Sequence, residues 1–123
     1  MDSCLTMNES LSSLINKLNR QFHELDLHLQ TVQHQKQELV QQIQQIEKQI
    51  NQTVPNSLTM NPAVEINWLN FIMQQQEKKE ATTLELKNYF ALENKLKEKI
   101  TRVKMELKMI ENYLQREEIH ALT

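Results

Sequence analysis

Glycine is missing from this chain. Ordinary usage would put about 7% Gly in a protein, and none occurs among these 123 residues. Without glycine, turns that need positive φ become costly, which argues against hairpin-rich β folds. The same absence removes every Gly-based phosphate loop, including the P-loop and the dinucleotide fingerprint. Only two Pro, one Cys and 5% aromatic residues are present. A lone Cys cannot form an internal disulfide, so a reducing compartment is expected and Cys4 reads as incidental. No apolar run approaches the roughly 20 residues of a membrane span, so no direct membrane insertion is expected. The start, Met1-Asp2-Ser3-Cys4, has no basic region followed by an apolar stretch, and no secretory signal is expected from it. Charge of one sign is scarce too. The net charge is −2 and the isoelectric point about 6.1, which gives no global attraction to nucleic acid.

What is there is Leu, Ile, Gln, Glu and Lys, with a mean hydropathy of −0.63. That mixture suits long helices. In the first half, Leu11, Ile15, Leu18, Phe22, Leu25, Leu29, Val32, Lys36, Leu39, Ile43, Ile46 and Ile50 follow one another at spacings of 4 and 3 without a slip. This is a heptad seam with a single polar member, Lys36. Thr6-Met7-Asn8-Glu9 has the spacing of a capping box, so helix 1 is expected over about 7–52. Residues 53–61 form the expected bend, because Pro55 removes a helical N–H and biases Val54 away from the helical region. Asn61-Pro62 then supplies an N-cap and a first-turn proline.

The second seam runs Trp68, Ile72, Gln75, Lys79, Thr82, Leu86, Tyr89, Glu93, Leu96, Ile100, Val103, Leu107, Ile110 and Leu114, apolar at both ends and polar through Gln75–Thr82. Helix 2 is expected over about 62–118. The expected fold is all-α: one domain over 1–123, a two-helix antiparallel coiled-coil hairpin in the form of an elongated rod. If the chain folds back near residue 58, residue i faces residue 116 − i. Ile50 would then meet Ile66, Phe22 would lie near Glu93 and Tyr89, and Lys36 would face Glu80. A parallel homodimer would instead stack Lys36 on its own copy, at a desolvation cost without a partner charge.

Apolar residues also lie off the seams. Leu69, Phe71 and Met73 sit near the bend, Phe90 and Leu92 mid-helix, and Met105, Met109 and Tyr113 near the open end. Single exposed apolar residues need no explanation, but clusters at both ends are better explained by partner contacts, beside the other reading of a third packing layer or weak self-association. Between 95 and 108, Lys95, Lys97, Lys99, Arg102, Lys104 and Lys108 outnumber Glu98 and Glu106. Two readings stand: solvated flanks pairing with Glu24 and Glu9, or a basic collar for an acidic partner.

Chemistry is sparse. His23, His28 and His34 are spaced five and six apart, which puts no two on one helical face. No metal site, cofactor or catalytic group is expected, and no nucleophile has a local base.

The segment Ile66-Asn67-Trp68-Leu69-Asn70-Phe71-Ile72 resembles the start of the second long helix in the flagellar export stalk proteins, the FliJ family, whose pattern there is Ile-Asn-aromatic-x-x-Phe-Ile. The Lys-rich helix that follows, ending in Leu114-Gln115-Arg116-Glu117, is similar too, as are the short, Gln- and Lys-rich type III secretion proteins of the YscO family. The resemblance implies a cytoplasmic antiparallel coiled coil, peripherally associated with the inner-membrane export apparatus. Its termini would enter and stimulate a hexameric secretion ATPase, and its bend would reach a membrane export-gate protein. Secretion chaperones are further implied partners. It implies Trp68, Phe71, Gln75 and Lys78 as the gate-facing residues. Placement near the termini nominates Lys104, Lys108, Tyr113 and Arg116 for the ATPase. Two other readings stand beside it: a coiled-coil scaffold subunit, and a small prefoldin-like secretion chaperone that holds clients on Met105 and Met109.

Overall fold

A computed structural model describes residues 2–52 and 61–122, with side chains described for 9–52 and 61–118. The expected bend therefore lies outside the described residues except for Asn61. Every other described residue is helical, in α1 (Asp2–Gln52) and α2 (Pro62–Leu122), and the two helices form an all-α hairpin. No described residue has positive φ, as expected of a chain without glycine.

The helix ends follow local chemistry, with one correction. Asn61 caps α2: its Oδ1 accepts a 2.9 Å bond from the Val64 N–H, and its carbonyl accepts the first intrahelical bond from Glu65 N–H at 3.1 Å. Pro62 occupies the first helical position, where its missing N–H costs nothing. The Thr6–Glu9 box, however, does not start α1, which is helical from Asp2. A capping box has work to do only where N–H groups lack a carbonyl four residues back. Here Asp2–Leu5 are already helical and supply those carbonyls. At the other end α2 continues to Leu122, past the expected 118.

The chain divides into two units: a terminal unit, Met1–Thr31 with Glu93–Thr123, and an inner unit, Val32–Leu92. In the terminal unit Leu18, Leu96, Ile100 and Val103 are the buried apolar residues; in the inner unit they are Val32, Leu39 and Ile46. All belong to the seams. In fact every seam residue in both helices is buried or half-buried, polar ones included.

The pairing register differs from the expected one. In the inner unit the Lys36 ammonium stands 3.9 Å from the Phe90 ring centroid, and Lys79 Nζ pairs with Glu47 at 3.1 Å. In the terminal unit Lys104 Nζ lies 5.5 Å from the Phe22 ring centroid. In each pair, residue i faces residue 126 − i, not 116 − i. Lys36 thus meets an aromatic face instead of Glu80, and Phe22 meets Lys104 instead of Glu93 and Tyr89. The physical reason is seam matching. The expected register set Ile50 against Ile66, which is off the seam. The observed one, to within a residue, sets Leu18 across from Leu107, Leu29 from Leu96 and Leu39 from Leu86. It also sets Gln52 opposite Gln74.

Candidate partner-binding surfaces

The polar seam residues come first, because they decide what is left for a partner. In the inner unit Thr82 is buried, and its hydroxyl donates to the Lys78 carbonyl at 2.8 Å. Thr83 does the same to Lys79 at 2.7 Å. These bonds satisfy the hydroxyls inside the helix that carries them. Lys79 reaches across to Glu47. Gln75 keeps one oxygen, Oε1, buried without a hydrogen-bond partner. In the terminal unit Glu93 is only 7% exposed and pairs with Lys97 at 3.2 Å one turn on. A carboxylate removed from water needs such a partner, since its desolvation is expensive.

Of the four residues implied for the export gate, Trp68, Phe71 and Gln75 are half-buried and Lys78 is exposed. Gln75 belongs to the seam and faces inward. Trp68, also on the seam, is likewise partly covered. The open apolar surface on this part of α2 lies elsewhere: Val64, Ile66, Leu69 and Met73 are all exposed. Ile66, Leu69 and Met73 are spaced 3 and 4 apart, so they form a stripe of their own to one side of the seam. The spacing was readable from the sequence, although the resemblance drew attention to Phe71 instead. From Pro62 to Gln76 the only charge is Glu65, so this stripe would be recognised by shape and apolar contact.

Of the four residues nominated for the ATPase, Lys104, Lys108, Tyr113 and Arg116 all lie on the exposed part of the terminal unit. They do not share one face. Lys104 turns toward α1 and covers Phe22, Lys108 stands beside it one turn on, and Tyr113 and Arg116 lie elsewhere around α2. Among the described residues, the ion pair recorded for the basic run is Lys97 with Glu93, on the same helix. Glu24, His28, Lys99, Arg102 and Glu106 do share one open cleft of about 460 Å³ between α1 and α2. A second depression, along α2 alone, is lined by Asn94, Lys97, Glu98, Thr101, Arg102 and Met105.

The histidines lie apart. His34 Nε2 sits 3.2 Å from Glu38 on the exposed face of α1, while His23 and His28 are exposed. No three potential metal ligands come together among the described residues. No described helix is long and apolar enough to cross a membrane.

No known family model matches this chain, and neither curated proteins nor solved structures give a match.

Proposed function

We propose that this chain is a stalk-type export component, a helical hairpin that acts by contact on a hexameric secretion ATPase and on a membrane export gate. One observation carries the reading. The seven-residue segment that resembles the export stalk family, Ile66–Ile72, stands in the first turns of the second helix of a two-helix hairpin, with Ile66 and Leu69 open to solvent. The exposed cations of the terminal unit, Lys108 and Arg116 among them, suit an acidic surface on the ATPase. Such a protein would bias which ATPase conformation is populated by touching one better than the other.

The test is ATP hydrolysis by the secretion ATPase of the same organism, with and without this chain. Wild type stimulates turnover. A Lys108→Glu, Arg116→Glu variant of unchanged helicity loses the stimulation, while an Ile66→Ser, Leu69→Ser variant keeps it and loses binding to the gate protein. Equal stimulation by wild type and the charge-reversed variant would remove the terminal unit from the ATPase contact. No stimulation by wild type, together with stable capture of another heptad protein, would replace the stalk by a scaffold subunit.

A further inference from the structure

The outer face of α2 in the terminal unit carries a second heptad-spaced stripe. Lys95, Glu98, Arg102, Met105, Met109, Asn112 and Arg116 follow at spacings of 3 and 4 without a slip, and all seven are exposed. At 1.5 Å per residue the stripe spans about 32 Å. It lies opposite the seam, so α1 does not cover it. Its centre is apolar: Met105 is 61% and Met109 68% exposed, and they stand one helical turn apart. Its outer positions are charged and of opposite sign, Glu98 on one side and Arg116 on the other.

This pattern is its own complement when reversed. Turn a second α2 antiparallel about a point midway between Met105 and Met109, and residue i meets residue 214 − i. Met105 then packs on Met109 of the second copy, and Met109 on its Met105. Glu98 meets Arg116 twice, once on each side. Arg102 meets Asn112, whose side-chain carbonyl accepts from a guanidinium. An isologous contact demands this property: each patch must fit itself under a two-fold axis. A 3-and-4 spacing is also what keeps two helices in contact along their length.

We infer that two copies of this chain associate through this face of α2, antiparallel, with the two methionine pairs at the centre and the two Glu98–Arg116 pairs closing the ends. Thioethers suit the centre, because flexible Met side chains repack without strict geometry. The flanks limit the strength. Lys108 on one side and Glu106 on the other each approach their own copy across the axis, and like charges there oppose the contact. The association therefore belongs to the weak, reversible class of small interfaces. The inference is independent of the stalk reading, since it needs no ATPase and no gate.

The test is light-scattering mass and sedimentation of the full chain over a concentration series, with circular dichroism as a check on helicity. Wild type rises from 14.7 kDa toward twice that mass. Met105→Glu with Met109→Glu leaves a monomer at every concentration, with helicity retained. Glu98→Arg alone and Arg116→Glu alone each weaken association about tenfold, since two attractive pairs become repulsive. The double variant E98R/R116E regains wild-type association, because the pairs are restored in reverse. A wild type that stays monomeric throughout would overturn the inference. So would a dimer indifferent to the methionine changes, or a double variant no better than the single ones. Mass is the readout throughout, so these outcomes stand whether or not the chain stimulates an ATPase, although Arg116 enters both readings.

Discussion

At the scale of single residues, burial separates side chains that the sequence makes look alike. Leu96 is 3% exposed and Leu84 63%, yet both are leucines in the same helix. Leu96→Ala should cost about 2–4 kcal/mol, the range for truncating a buried leucine. Leu84→Ala should change stability by less than about 0.5 kcal/mol, as an exposed substitution does. Urea unfolding of the two variants beside wild type checks this. Lys36 offers a second case. It occupies a seam position that normally wants an apolar side chain, and it places its ammonium over the Phe90 ring. The exposed Phe90 and the seam lysine thus answer one another across the helices. A double-mutant cycle on Lys36→Ala and Phe90→Ala should show a coupling of about 0.5–1 kcal/mol. Additive losses would mean that the ring and the ammonium are neighbours without attraction.

At the scale of the helices, caps and register are the questions. Asn61→Ala removes the side-chain acceptor of the Val64 N–H and should cost about 1 kcal/mol, read as a lower urea midpoint. The register has its own check in the inner unit. In a Cys4→Ser background, Leu39→Cys with Leu86→Cys should oxidise readily to an intramolecular disulfide. Leu39→Cys with Glu77→Cys, the pair set together by the register expected from the sequence, should not. Reduced and oxidised forms separate on a non-reducing gel. The two seams were legible in the sequence down to every position, because burial in a helix repeats with the spacing of the side chains. The alignment of one seam on the other was not. A heptad pattern looks the same after a slide of seven residues, and the expected fold-back near residue 58 lies five residues before the observed centre at 63. Seam matching narrows the alignments to ones a whole repeat apart, and among those the observed one places Phe90 within reach of Lys36 and Glu47 within reach of Lys79. That reach crosses between helices and leaves no trace in the spacing along either one. The Thr6–Glu9 box misled for a different reason: a local signal is silent once its backbone groups already have partners.

At the scale of the whole molecule, the proposed contacts with partners lie on two surfaces of this chain. Its candidate sites are an uncharged apolar stripe on the first turns of α2 and a basic, methionine-centred face near the end of α2. The sequence announced the ingredients of both, Leu69 and Met73 in one, Met105, Met109 and the lysine run in the other. The spacing already put Trp68 and Gln75 on the seam; that Lys104 turns to Phe22 across the helices is seen only in the structure. Among the described residues no metal-ligand cluster forms. Chelation with EDTA should accordingly leave the urea midpoint unchanged, and a lowered midpoint would reveal a bound ion that helps hold the fold.

The polar contacts of the inner unit have a consequence for how that unit keeps its register. Apolar layers repeating every seven residues are interchangeable, so by themselves they tolerate a slip of one whole repeat at little loss. A slip of that size would carry the Lys36 ammonium about 10 Å along α2 from the Phe90 ring and part Lys79 from Glu47. The two contacts therefore act like the pins of a ruler. They give a repeating scale a single zero within the inner unit.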